Sequence, residues 1–99
     1  MEGRILTGRD RYPVLMKICS VYDAKVGAYA QPMFCQSAGQ ALRTFQDIAN
    51  DKEHPIGQHP EDYTLFELGT WDEVSGVITP HPARKALGQG HELQLLTED

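Results

Sequence analysis

Residues 36–51 read QSAGQALRTFQDIAND, and this stretch predicts the main helix of the chain. Ser37 is a residue type favoured at helix N-caps, and Gln40, three residues later, completes a capping box. Asn50 is a suitable C-terminal stop, and Pro55 prevents continuation far beyond it. The apolar side chains recur at the spacing of one helical face, at Ala38, Ala41, Leu42, Phe45, Ile48 and Ala49. A helix with such a face needs a sheet to cover.

Other segments have the composition of β-strands and provide that sheet. Residues 14–22 are almost continuously apolar, and residues 64–71 are rich in aromatic and β-favouring side chains. Residues 76–80 return after a short hairpin loop. Residues 28–35 contain Pro32, which cannot donate to a ladder, so we expect them at an edge. The prediction is the α+β class, with a small antiparallel sheet of three to four strands and one main amphipathic helix packed on one face.

The length of 99 residues indicates one domain. Residues 1–12 have no sustained period and are predicted to form a flexible N-terminal arm. Residues 13–82 are the single α+β domain. Residues 83–99, interrupted by Gly88 and Gly90, are predicted to be a weakly structured tail. Because one helix covers only one side of a sheet, we expect a homodimer to bury the second apolar face or an open edge.

The net charge of −5 is unevenly distributed. Residues 1–25 carry five basic and three acidic side chains, whereas residues 26–99 carry four basic and eleven acidic ones. An acidic body argues against coating nucleic acid by bulk electrostatics, although the basic first segment leaves a local exception. No apolar run is long enough to span a bilayer and no signal-peptide pattern is seen, so a cytoplasmic protein is expected.

The sequence contains none of the common catalytic or phosphate-binding motifs, and we predict neither an enzyme nor a cofactor or metal site. Cys19 and Cys35 lack CxxC spacing and have apolar neighbours, which favours buried thiols over a disulfide or redox pair. His54 and His59 each precede a proline and are interpreted as loop residues rather than metal ligands. Glu67, within an apolar strand, is the best candidate for a carboxylate with a perturbed pKa, although a solvent-facing strand position is the simpler interpretation.

Aromatic and basic side chains together suggest a surface for single-stranded DNA, because bases stack on aromatic rings. The candidate residues are Lys17, Tyr22, Lys25 and Trp71 in the domain, with Arg4, Arg9 and Arg11 in the arm. The competing interpretation is that these aromatic side chains pack under the helix or across a dimer interface.

Three blocks of sequence resemble a known family. They are MKICSVYDAK at residues 16–25, QPMF at residues 31–34 and PEDYTLFELGTWD at residues 60–72. Over about residues 15–80 the chain resembles the small nonstructural protein of gokushoviruses, the microvirus-type phages with circular single-stranded DNA genomes. The resemblance implies an accessory protein made in the host cytoplasm, acting in viral DNA replication or single-stranded genome synthesis. It implies no catalytic residues.

Two functional hypotheses follow, and a third is related to the second. The first is an accessory replication protein that binds single-stranded DNA through the residues named above. The second is a non-enzymatic adaptor whose acidic and aromatic surface engages a phage or host replication protein without DNA. The third is an inhibitor of a host DNA-binding enzyme, in which the acidic surface imitates phosphates. Binding to DNA that weakens steeply with salt separates the first from the others.

Overall fold

The structure is a computed structural model, and residues 15–94 are the part of the chain that it describes. Within these residues three strands come first, helices follow, and a long hairpin and a short helix come last. In order, the elements are β1 (Leu15–Asp23), β2 (Ala28–Tyr29), β3 (Met33–Cys35), α1 (Ala38–Ala49), α2 (Pro55–Gln58), a 3-10 turn (Pro60–Asp62), β4 (Tyr63–Asp72), β5 (Ile78–Gln89) and α3 (Gly90–Leu93). No helix within residues 15–94 has the length and apolar character needed to cross a membrane.

The strands form one antiparallel sheet with β1 and β4 at its centre. Strands β2 and β3 both pair with the same edge of β1, and β5 pairs with the far edge of β4. The α+β prediction is confirmed. The sheet has five strands rather than three to four, because the segment containing Pro32 splits into two short strands. Short helices α2 and α3 also accompany α1, where one main helix was predicted.

Helix α1 begins where the sequence indicates and packs on one face of the sheet. The Ser37 hydroxyl accepts the backbone N–H of Gln40 at 3.1 Å, and the Gln40 side chain accepts that of Gln36 at 2.9 Å. The first bond satisfies an amide of the first helical turn. The second differs from the predicted capping box, because Gln40 accepts the N–H of the residue before the cap rather than that of Ser37. The core between helix and sheet is built from Cys19, Cys35, Ala41, Phe45, Ala49, Ile56 and Leu65. Its centre, Phe45, is fully buried.

The segment after residue 82 requires a correction as far as residue 94. Strand β5 continues to Gln89 and α3 follows it, so these residues belong to the fold rather than to a weakly structured tail. Gly88 and Gly90 serve close packing here instead of interrupting structure. A Cβ at Gly88 would lie 3.2 Å from the Leu42 side chain, and one at Gly90 would lie 2.5 Å from the Pro60 carbonyl oxygen. The predicted arm, residues 1–12, lies outside the described residues.

Candidate nucleic-acid interface

The two faces of the sheet differ because side chains alternate along each strand. On β1, Cys19 and Val21 pack in the core beneath α1, so Ile18 and Tyr22 point to the opposite face. On β4, Leu65 is in the core and Phe66 is outside it. We call the face that the helix does not cover the outer face. Functional surface is expected there, since the inner face is filled by the core.

Three aromatic rings and one arginine cluster on the outer face. The Tyr22 and Tyr29 ring centroids are 4.9 Å apart, and Phe66 lies 6.4 Å from Tyr22 and 6.0 Å from Tyr29. The Arg84 guanidinium lies over them, 4.4 Å from the Phe66 centroid and 5.4 Å from that of Tyr22. Arg84 also donates a hydrogen bond to the Tyr29 hydroxyl. These four residues are the aromatic cluster.

A second pair of rings lies further along the same face. Phe34 is between two core residues of β3, so it points outward, and its ring meets that of Trp71 edge-on at 5.3 Å. Phe34 pairs with Ile18, four residues from Tyr22 on β1. At about 3.4 Å per residue, Ile18 and Tyr22 are roughly 14 Å apart along β1, so the Phe34–Trp71 pair is separate from the aromatic cluster. The outer face therefore carries aromatic side chains along much of its length.

The structure separates some of the residues that the sequence suggested would act together. Tyr22 and Trp71 share the outer face, and Lys25 lies in the turn directly after β1. Lys17 is on the other face, where its amine is 3.7 Å from Glu67. The predicted surface around Tyr22 therefore does not include Lys17, since two strand residues five positions apart point in opposite directions. Arg4, Arg9 and Arg11 lie outside the described residues.

Glu67 is an almost completely buried carboxylate, with 3% of its surface exposed. His81 Nε2 lies 2.7 Å from its Oε2, and Lys17 approaches the same oxygen. Burial raises the pKa of Glu67, but the hydrogen bond with His81 and the charges of Lys17, His81 and Lys85 outweigh it and lower the pKa below its usual value. The solvent-facing position that the sequence favoured for Glu67 is therefore wrong. The pKa of this carboxylate is perturbed, in the direction that keeps it ionised.

An apolar groove of about 490 Å³ is the main alternative site. It lies on the helix side, and Val26, Met33 and Ile48 are among its lining residues. Its carboxylate, Asp23, accepts the backbone N–H groups of Lys25 and Val26 and so stabilises the turn. Polar side chains also line the groove, but Ser20 donates to the Ala30 carbonyl and His54 accepts the Ile56 N–H, so these two stabilise the fold. The outer face is the stronger candidate because it brings a cation and several aromatic rings together.

The comparison with known families bears on the same region of the chain. A family model described as Phage ORF5 protein matches residues 16–93. The chain belongs to the Phage ORF5 protein family. No curated protein and no solved structure matches it. The match includes every residue of the aromatic cluster and of the Phe34–Trp71 pair, so the outer face lies entirely within the part of this Phage ORF5 protein that defines its family.

Sequence reasoning missed Tyr29, Phe66 and Arg84 as members of this site. Phe66 was visible as the outward neighbour of Leu65 in an alternating strand, which is a usable signal. Arg84 gave none, because it lies 55 residues from its partner Tyr29 in a segment predicted to be weakly structured. In the Phage ORF5 protein only the pairing of β5 with β4 brings it to the cluster.

The remaining candidates for chemistry have structural explanations or lack a supporting observation. Cys19 and Cys35 are free and buried, and burial, with Cys35 and Glu67 nearby, raises the pKa of Cys19 to about 11. A thiol of that kind is a poor nucleophile. His54 caps α2 by accepting the Ile56 N–H at 3.1 Å. His59, Glu61 and Asp62 bring ligand atoms within 4.8 Å of one another, but acidic groups at a surface are common without a metal, and we assign none.

Proposed function

We propose that this Phage ORF5 protein is a non-enzymatic accessory protein that binds single-stranded DNA through the outer face of its sheet. The observation that carries the proposal is the aromatic cluster, in which Arg84 lies over the rings of Tyr22, Tyr29 and Phe66. Proteins that bind single strands without strong sequence preference combine aromatic stacking platforms with positive charge. Both components are present here, side by side.

Arg84 is suited to contact a phosphate while bases stack beside it. The hydrogen bond that it donates to Tyr29 uses a fraction of its five N–H donors. No carboxylate within residues 15–94 forms an ion pair with it. A guanidinium that is exposed, held over aromatic rings and without an acidic partner in the described structure is available to a phosphate oxygen.

The local charge also favours this face over the rest of the molecule. The whole chain has a net charge of −5, which opposes DNA binding in general. Around the aromatic cluster, however, the neighbouring outward strand positions carry Ser20, Thr64 and Ala86, and none of them is acidic. These neighbouring positions therefore add no negative charge that would repel a phosphate backbone beside the rings.

The biological setting is part of the proposal. The chain's blocks at residues 16–25 and 60–72 resemble the gokushovirus nonstructural protein, and membership of a phage family supports that direction. We place the protein in the host cytoplasm, acting in viral DNA replication or in synthesis of the single-stranded genome. Such a step exposes single strands, the form of DNA whose base faces are accessible to the rings.

The test is fluorescence anisotropy of a labelled oligothymidylate titrated with the protein. If about two phosphates are neutralised, affinity should fall roughly sevenfold between about 50 mM and about 200 mM salt. Arg84→Ala should weaken binding about fivefold. The matched control is Arg43→Ala, which removes the same charge from the exposed surface of α1, on the other side of the molecule, and should leave affinity nearly unchanged.

No measurable binding at low salt would overturn the proposal. Equal losses for Arg84→Ala and Arg43→Ala would contradict the assigned surface, since they would indicate a response to net charge alone. A loss of affinity in Arg84→Ala with none in Arg43→Ala supports both DNA binding and the assigned surface.

A second candidate function is an adaptor or inhibitor that engages a phage or host replication protein. The observation that favours it is a group of exposed carboxylates on and after α1, at Asp47, Asp51, Glu53 and Glu61. Such a surface can attract a basic partner or imitate phosphates. This candidate predicts that replacing Asp47 and Asp51 by Asn abolishes capture of a specific phage or host replication protein, and that oligothymidylate produces no salt-sensitive signal.

We also propose that the protein forms a homodimer, because the outer face exposes apolar surface that a second copy can cover. Phe34 is 46% exposed and Tyr29 is 38% exposed. Analytical ultracentrifugation at micromolar concentration tests this, and a monomer there contradicts it. A dimer that dissociates as oligothymidylate is added would indicate that DNA and the second copy compete for the same face.

A further inference from the structure

Strand β5 leaves the regular ladder beside the aromatic cluster. Glu67 pairs with Lys85 and Gly69 pairs with Pro80, so residues 81–84 face only Leu68. We call residues 81–84 the wide bulge, here meaning a segment of four residues opposite one and not the two-residue bulge class of the same name. Bulges bend a strand and redirect side chains, and they are common beside binding sites. This one begins at a histidine and ends at Arg84.

The two ends of the wide bulge contact β4 side chains that lie on opposite faces of the sheet. At its start, His81 contacts the buried carboxylate of Glu67 at 2.7 Å. At its end, the Arg84 guanidinium lies 4.4 Å from the ring centroid of Phe66. Glu67 and Phe66 are consecutive residues and point to opposite faces. The bulge thus runs from an anchor on the inner face to a cation on the outer face.

We propose that Glu67 and His81 are positioning residues that hold Arg84 over the aromatic rings. The effect of this positioning on DNA binding rests on the proposed function, whereas the contact that holds Arg84 over the rings does not depend on that function. Four consecutive residues without ladder partners have conformational freedom that must be lost before Arg84 can stay over the rings. A contact between His81 and Glu67 removes much of that freedom in advance, which is how preorganisation strengthens binding.

The surroundings of Glu67 support a specific role rather than general stability. An ion pair at such a site is seldom better for stability than an apolar side chain, because both charges lose water. The groups that face Glu67 are Lys17 and Cys19 from β1 and His81 and Lys85 from β5. Of these, His81 alone belongs to the wide bulge, so its contact is the one that restrains the segment leading to Arg84.

The first test uses NMR and needs no DNA. Protons of the Arg84 side chain over an aromatic ring have upfield ring-current shifts. We expect His81→Ala to abolish most of this upfield chemical shift. His81→Gln should keep it, because the glutamine amide can donate to Glu67. His91→Ala, an exposed histidine on α3, is the control and should change nothing. An unchanged Arg84 shift in folded His81→Ala overturns the inference.

Wild-type protein provides a second route should His81→Ala fail to fold. The side-chain carboxyl carbon of Glu67 and the Arg84 side-chain protons are followed together as the pH is lowered. Protonating Glu67 weakens its attraction to His81, so both signals should change with the same midpoint. If the upfield shift of the Arg84 protons is lost at a pH midpoint that differs from that of Glu67, the inference is overturned.

Anisotropy then separates this inference from the proposed function. His81→Ala should weaken oligothymidylate binding by about the same factor as Arg84→Ala, roughly fivefold, and the double variant should be no weaker than either. Additive losses would contradict a shared action through Arg84. If wild-type protein shows the Arg84 ring-current shift and its loss in His81→Ala but binds no DNA, the proposed function fails and the positioning role stands.

Discussion

The two faces of the sheet use apolar side chains in different ways. The inner face has small and aliphatic residues, such as Cys19 and Leu65, which with Phe45 of α1 are fully buried. The outer face has large aromatic rings that contact one another at their edges and stay partly exposed. The inner face therefore stabilises the fold by burying apolar surface away from water and packing it closely. On the outer face, part of each ring remains exposed and can contact a partner. Substitutions on the two faces should have separable effects.

The largest effect is expected at the centre of the inner face. Phe45→Ala should reduce the free energy of unfolding by about 3–5 kcal/mol, because it removes buried apolar surface and leaves a cavity. Urea denaturation followed by circular dichroism measures this. Phe34→Ala on the outer face is the comparison and should cost much less. Similar losses for the two variants would contradict the division between the faces.

A somewhat smaller effect is expected where β4 and β5 approach most closely. A Cβ at Gly69 would lie 2.4 Å from the Thr79 carbonyl oxygen and 2.9 Å from the Pro80 Cα, both backbone atoms that cannot easily move. Gly69→Ala should cost about 1–3 kcal/mol and disturb the wide bulge. In Gly39→Ala the new Cβ would come no closer than 3.8 Å to the Ser37 hydroxyl, so this helical variant should be neutral or stabilising.

On the outer face the main effect should appear in binding rather than in folding. Tyr22→Ala should weaken oligothymidylate binding about tenfold, since one stacked base is worth about 1–3 kcal/mol. Its unfolding should remain cooperative. Tyr63→Phe keeps a ring that packs against the core and should bind normally, which anisotropy on both variants can establish. An equal loss of affinity in Tyr63→Phe would contradict the assignment of DNA binding to the outer face.

The smallest effect concerns pH and the buried carboxylate of Glu67 on the inner face. The pKa of Glu67 is below its ordinary value of 4.5, so the folded state releases this proton more readily than the unfolded state. Its stabilisation is complete above that ordinary value and is lost as pH falls through the lower, folded-state pKa. Stability measured by denaturation from about pH 7 to about pH 3 should decline with a slope of at most ~1.4 kcal/mol per pH unit from this group.

The control for that experiment has to separate Glu67 from other carboxylates. Hydrogen bonds from the backbone of Val74 and Ser75 lower the pKa of Asp72 as well, so part of the decline belongs to it. Asp72→Asn should retain the contribution of Glu67, and Glu67→Gln should remove it. Identical acid profiles for wild type and Glu67→Gln would show that the buried pair contributes nothing in this range.

Sequence reasoning succeeded where the signal is local. The Ser37 cap and the period of the apolar residues after it locate α1 to within two residues of Ala38–Ala49, because helical contacts join residues close in sequence. It failed for β5, whose prolines and glycines are typical of loops but are tolerated in a bulge and at an edge, and β5 is at the edge of the sheet that residues 15–94 form. It also grouped Lys17 with Tyr22 by nearness in sequence, although strand alternation separates them.

The sequence by itself determined the class of the fold, the position of its long helix and the supply of aromatic side chains in the strands. Tertiary structure alone decided which of those rings meet and which cation joins them. Tyr22, Phe66 and Arg84 come from three strands and become neighbours only through the register of β1 with β4 and of β4 with β5. The physical reason is that strand pairing joins residues far apart in sequence, and its register depends on bulges that no local pattern specifies.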